Sequence, residues 1–156
     1  MLDRTRNFPG TSHHTMHVPR TMFAAAIDRF GGPEVITAHA LPVPEVDAGE
    51  VLIAVDTAGV GRWDADVREG LFASRKPHFP LVLGYDGAGI IAKVGSRVRR
   101  LKVGDQVYCY NWENPKGGFY AEYVAVPADN RADPQAAGSA ACRRDPDHGL
   151  DRAAGH

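Results

Sequence analysis

The chain has 156 residues, 44% of them hydrophobic and 24% charged, with a formal net charge of −1. Those values fit one globular domain and leave no basic footprint for nucleic acid or an anionic membrane. No apolar run approaches the roughly 20 residues that span a bilayer, and the arginine-bearing start (Arg4, Arg6, Arg20) lacks the apolar core of a secretory signal.

In chain order, residues 1–21 read as a disordered leader, with His13, His14 and His17 as a candidate metal-binding cluster. The folded candidate is 22–130. Phe23 to Ile27 and Val35 to Ala40 are predicted strands around a Gly31-Gly32-Pro33 turn. Pro42, Pro44, Asp47 and Gly49 mark a loop. Glu50 to Ala58 partly alternates and is predicted as a core strand. Trp63 to Gly70 is predicted to form one or two helical turns closed by Gly70. Leu81 to Val94 reads as one strand interrupted by glycines, which imply bulges or close backbone approach. Gln106 to Tyr110 and Tyr120 to Pro127 complete the set. Short strands punctuated by Gly and Pro predict a mainly β barrel or sandwich. Residues 131–156 hold a single large aliphatic side chain, Leu150, and no aromatic one, so disorder is predicted there. The two cysteines, Cys109 and Cys142, match no metal or redox spacing. Cys109 is expected to be a small buried hydrophobe, and the setting to be reducing and cytoplasmic.

Five stretches occur together and in order: AAAIDRFGGPEVI, PVPEVDAGEVLIAV, AGVGRWDADVREG, PLVLGYDGAGIIAKVGSRVRRLKVGDQVY and GGFYAEYVAVPADN. Together they resemble the GroES-like catalytic domain of the medium-chain dehydrogenase/reductase superfamily, an alcohol dehydrogenase-like fold. More narrowly they resemble its zinc-independent quinone oxidoreductase branch. The resemblance covers nearly all of 22–130. It implies a partly open GroES-like β-barrel with short helices, a nicotinamide cofactor (NADPH or NADH), and a small quinone or enone substrate. It also implies family members that are often homodimeric, with no nucleic acid or membrane partner.

The family's second half is a Rossmann domain whose Gly-rich turn holds the cofactor pyrophosphate. No GxGxxG opens a helix in this chain. The glycines at Gly84, Gly87 and Gly89 have the wrong spacing and correspond to a barrel strand. Codons for 131–156 can be chosen so that a one-nucleotide shift encodes a family-like continuation. A frameshift near Asn130 is therefore expected, and the chain alone is expected to be inactive. The alternative is a genuine low-complexity tail, and resequencing separates the two.

Zinc-using relatives carry a cysteine where this chain has Gly61, and a His-Glu pair where it has Tyr85-Asp86. Glycine cannot ligate and tyrosine is a poor zinc ligand, so no metal is expected. Without a metal, the developing oxyanion of a quinone or enone needs a hydrogen-bond donor or a water. The resemblance points to Tyr85, Asp64 and Arg68 as catalytic residues and to Gly61, Arg62 and Trp63 on the cofactor side. Tyr85 would orient a substrate carbonyl, or be a core tyrosine with one satisfied hydrogen bond. Asp64 and Arg68 would shape the cleft, or form an intrahelical ion pair worth about 0.3–0.5 kcal/mol. Trp63 and Phe72 would make an apolar wall. Because the barrel also resembles the co-chaperonin fold, a binding module without redox activity stays open as a second function.

Overall fold

The structure is a computed structural model that describes residues 16–71, 77–112, 115–128 and 141–144. Among the described residues the strands form two antiparallel sheets. The smaller has the order β2-β1-β4, from β1 (Thr21–Ile27), β2 (Ile36–Pro42) and β4 (Leu81–Val82). The larger has the order β7-β3-β5-β6-β8, from β3 (Glu50–Ala58), β5 (Asp86–Val94), β6 (Gln106–Tyr110), β7 (Tyr123–Pro127) and β8 (Ala141–Arg144). One helix, α1 (Arg62–Arg68), follows β3, and a 3-10 turn at Pro33–Val35 separates β1 from β2. The sheets meet where Ala24 bridges Ala121 and the Ala25 amide donates to the Tyr120 carbonyl at 2.7 Å. The result is the expected mainly β, GroES-like fold, in the form of two sheets that do not close into a barrel.

Strand β3 lies in the middle of the larger sheet and is buried on both faces. Val51 and Ile53 pack with Ile91, Val107, Phe119, Val124 and Val126. Leu52 faces the other way, onto Ala92 and Ala125, and Met16, Val18, Val43 and Val46 cover it. Each such side chain contributes roughly 1.5–3 kcal/mol on leaving water. Burial of Met16 and Val18 explains why the leader expectation fails for 16–21. Here the chain covers Leu52, and the Arg20 carbonyl accepts the Val43 amide at 3.0 Å. His17 is exposed, while His13 and His14 lie outside the described residues.

The segment 81–94 is two strands rather than one. Val82 pairs with Ala26 in the smaller sheet, and Asp86 begins the pairing with β6 in the larger one. Between them Gly84 takes φ +96°, a left-handed conformation that favours glycine. Its neighbourhood is crowded: a Cβ at Gly84 would lie 2.8 Å from the Tyr120 nitrogen. The predicted bulges are present, with β3–β5 register shifts between Leu52 and Ile53 and between Val55 and Thr57. Strand β7 starts at Tyr123, later than expected. The preceding backbone is used to reach across, with the Phe119 and Tyr120 amides donating to Gly84 and Leu83 carbonyls at 2.9 Å each.

Disorder over 131–156 does not hold at Ala141–Arg144, which pair with the β6 edge in register Tyr108↔Arg143 and Cys109↔Cys142. The rest of that expectation lies outside the described residues. Cys109 is buried on its strand, as expected, and it is disulfide-bonded. Among the described residues no helix is long and apolar enough to cross a membrane.

Candidate functional site

The break at 83–85 builds the site. The Asp64 carboxylate is buried at the start of α1 and holds two backbone amides. Its Oδ2 accepts Gly61 N–H at 2.7 Å, the side-chain-to-backbone half of a capping box. Its Oδ1 accepts Gly84 N–H at 3.1 Å. One carboxylate therefore caps the helix and fixes the turn that presents Tyr85. With both oxygens engaged, Asp64 acts as a strut in this geometry.

Tyr85 is half-buried, and its carbonyl accepts the Asn111 amide at 2.7 Å. That bond sets the backbone immediately after β6 and brings Trp112 over the tyrosine ring. The Tyr85 and Trp112 centroids lie 4.9 Å apart at 30°. Trp63, on the first turn of α1, meets Trp112 edge-to-face at 5.3 Å and 86°. Trp63 remains 53% exposed. The three rings form an aromatic corner with Asp64 behind it.

Burial raises the Tyr85 hydroxyl to about 12, and the nearby Asp64 and Tyr110 add to the effect. Tyr120 is likewise raised to about 12, first by burial and then by Asp64 and Asp86. Its hydroxyl approaches Asp64 closely enough to feel that charge, yet it has no protein partner in hydrogen-bond geometry. The Asn111 side-chain amide nitrogen is also buried without a protein partner. Both tyrosines therefore ionise only in strong alkali, later than an exposed tyrosine.

The residues singled out from the sequence divide into two groups. Gly61, Trp63, Asp64 and Tyr85 come together around the corner. Arg62 starts α1, points to solvent and lies 3.8 Å from Asp66. Arg68 turns away from Asp64: its Nε donates to the Gly31 carbonyl at 3.0 Å and a terminal nitrogen pairs with Glu69 at 2.6 Å. The Asp64–Arg68 ion pair is therefore replaced by separate contacts, because Asp64 is occupied by backbone donors. Phe72 lies outside the described residues. Sequence reasoning missed Trp112, Asn111 and Tyr120. Nothing in the local pattern after β6 signals a site, since Trp112 acquires its place from the Asn111–Tyr85 bond.

No group of three or more His, Cys, Asp or Glu residues suited to a metal ion occurs among the described residues. A dinucleotide does not fit the glycine turn either. At Gly84, Gly87 and Gly89 the space where a side chain would stand is filled by the protein itself. The atoms there are the Tyr120 nitrogen, the Thr57 carbonyl oxygen at 2.7 Å, and the Ala54 carbonyl oxygen. These glycines permit strand packing and leave no phosphate cradle.

Residues 47–134 match the family described as the alcohol dehydrogenase GroES-like domain. The chain is 40% identical to the chloroplastic NADPH-dependent alkenal/one oxidoreductase of Arabidopsis thaliana, over 70% of this chain and 30% of that protein. It is 42% identical to the quinone oxidoreductase of Lama guanicoe, over 71% of this chain and 32% of the relative. Among solved structures, the quinone oxidoreductase from Coxiella burnetii superposes with a TM-score of 0.64 at 32% identity, covering 69% of this chain and 35% of that one. The chain spans about a third of the length of the curated relatives it matches.

Proposed function

Because the chain belongs to the alcohol dehydrogenase GroES-like domain family of the medium-chain dehydrogenase/reductase superfamily, we propose that it is the substrate-side domain of an NAD(P)H-dependent quinone or enone oxidoreductase. The observation that carries this reading is Tyr85. Its hydroxyl is a hydrogen-bond donor at physiological pH, and its ring packs against Trp112 at the turn that Asp64 fixes, where it is read as the donor to a substrate carbonyl oxygen. Quinones and enones accept a hydride into a conjugated system, and the charge that develops on oxygen is what such a donor stabilises. The chemistry is zinc-independent. Gly61 offers no ligand, and both Asp64 oxygens are committed to backbone amides. The glycine turn at Gly84, Gly87 and Gly89 is filled by the protein's own atoms, so it is not read as the seat of the nicotinamide cofactor. Asp64 positions Tyr85, and Trp63 with Gly61 borders the cofactor side.

The test joins residues 16–128 to the remainder of the Coxiella burnetii quinone oxidoreductase and follows NAD(P)H oxidation. Quinone- or enone-dependent turnover is expected, falling roughly 10- to 100-fold in Tyr85→Phe. A folded chimera that binds NAD(P)H yet reduces neither acceptor above the uncatalysed rate overturns the reading.

A further inference from the structure

We infer that the cavity where β3, β5 and β6 run side by side is a binding site for a small organic cation, an alkyl-substituted ammonium group held by Asp86, Tyr108 and Tyr110. The inference stands apart from the quinone or enone reading and uses none of its residues.

The cavity has a volume of about 510 Å³. Across it the register runs from Thr57 on β3 through Ala88 on β5 to Tyr108 on β6. Two residues along, Asp86 stands opposite Tyr110. Side chains two apart on a strand share a face, so both tyrosines stand on the cavity side with Ala88 and Asp86 beside them. The small Ala88 side chain leaves the space open. At the rim the Gly59 amide donates to the Asp86 carbonyl at 2.9 Å. A side chain at Gly59 would collide with the Asp86 carboxylate, so the glycine gives that carboxylate its seat.

Three groups here are unspent. Asp86 is exposed and, among the described residues, forms no ion pair or side-chain hydrogen bond. Tyr108 is 51% exposed and Tyr110 44%. Among the described residues neither ring meets another aromatic ring, and neither hydroxyl is hydrogen-bonded. A metal ion would find one carboxylate where it needs several ligands. An alkylammonium suits the set better. The carboxylate balances its charge, the ring faces attract a cation through their quadrupoles, and its methyl groups cover Ala88 and ring carbon. The Asp86 charge reaches Tyr110, whose hydroxyl pKa is raised first by burial and then by that carboxylate. The register places Arg143 of β8 beyond Tyr108, so β6 stands between that residue and Asp86.

The experiment titrates choline into the isotope-labelled intact chain and follows backbone amide shifts by nuclear magnetic resonance. The neutral isostere 3,3-dimethyl-1-butanol serves as reference, and sodium chloride holds the ionic strength constant. The expected result is saturable shifts centred on residues 86–88 and 108–110 with choline, and none that saturate with the alcohol. Asp86→Asn keeps the shape of the side chain and removes its charge, and should weaken choline binding roughly 2- to 5-fold. Tyr108→Leu, which alters a half-exposed side chain, should weaken it by a similar factor. The amide spectrum of each variant shows that it is folded. Equal binding of the alcohol, unchanged choline affinity in either folded variant, or shifts that do not saturate or centre elsewhere overturn the cation site.

Discussion

The Gly84 amide donates to Asp64 Oδ1 at 3.1 Å across 20 residues of chain. This bond joins the first turn of α1 to the break between the two sheets. It is the reason that Tyr85 leaves the strand at a fixed angle. Asp64→Ala would remove the acceptor for both the Gly84 and Gly61 amides and leave a buried gap behind the aromatic corner. A loss of about 2–4 kcal/mol in unfolding free energy is expected. Asp64→Asn keeps one oxygen acceptor and should lose about half as much. Urea denaturation followed by tryptophan fluorescence measures both. An Asp64→Ala midpoint equal to that of the parent would remove Asp64 from its role as the strut.

Alkali should attack this same region. Burial, aided by Asp64, raises Tyr85 and Tyr120 from 10.0 to about 12 in the folded chain. Unfolded tyrosine ionises near 10. The stability these groups contribute is therefore whole below about pH 10 and is lost as pH rises through about 12. Lys116 acts in the same direction. Desolvation lowers its pKa, but hydrogen bonds to Asp47 and Glu50 outweigh that and raise it. A spectrophotometric titration should show part of the tyrosinate absorbance appearing only near pH 12, together with unfolding. Tyr85→Phe should remove one late-titrating group. Complete tyrosine ionisation near pH 10 with the fold intact would contradict this account.

The glycines of 84–89 give a third prediction. In Gly84→Ala the new Cβ meets the Tyr120 nitrogen at 2.8 Å and the Phe119 nitrogen at 2.9 Å, in a left-handed conformation. A cost above about 3 kcal/mol is expected, from strain and steric clash together. Thermal denaturation should show a chain that is largely unfolded at 37 °C or melts far below the parent. If Gly84→Ala melted with the parent, the turn would not be fixed as described.

Much of this architecture is legible from the amino-acid order. Glu50–Ala58 and Gln106–Tyr110 begin and end where alternation and the preceding Asp47-Ala48-Gly49 and Gly104-Asp105 segments place them. The helix after Gly61 closes at Gly70, whose φ is +85°. What escaped notice was decided by distant partners. Leu81 to Val94 looks continuous because β-branched residues lie on both sides of Gly84, and the left-handed turn at Gly84, bonded to the distant Asp64 carboxylate, divides it. Met16 and Val18 look like leader residues until Leu52 requires cover on its second face. The four residues of β8 carry no pattern of their own, and they pair because β6 offers an open edge. The candidate site follows the same rule. Tyr85 and Asp64 could be picked out through a family resemblance, whereas Trp112 sits in an irregular segment and meets Tyr85 next to the long-range Asn111–Tyr85 backbone bond.

Lys116 anchors that irregular segment from its far end. Its ammonium group donates to the Glu45 carbonyl at 3.0 Å, Asp47 Oδ2 at 2.8 Å and Glu50 Oε2 at 2.6 Å. The loop carrying Trp112 is thereby tied to the turn that precedes β3. The network is partly exposed, so its contribution is modest, about 1 kcal/mol. Lys116→Met keeps the stem and removes the charge. It should lower the unfolding free energy by about that amount in dilute buffer. In 1 M salt, where the screening length falls to about 3 Å, the difference between parent and variant should shrink. The variant should also reduce the near-ultraviolet circular dichroism of the Trp63–Trp112 pair, because a looser loop blurs the 86° relation between the two indoles. A variant with unchanged near-ultraviolet signal and unchanged stability at both salt concentrations would show that Lys116 plays no part in holding Trp112 in place.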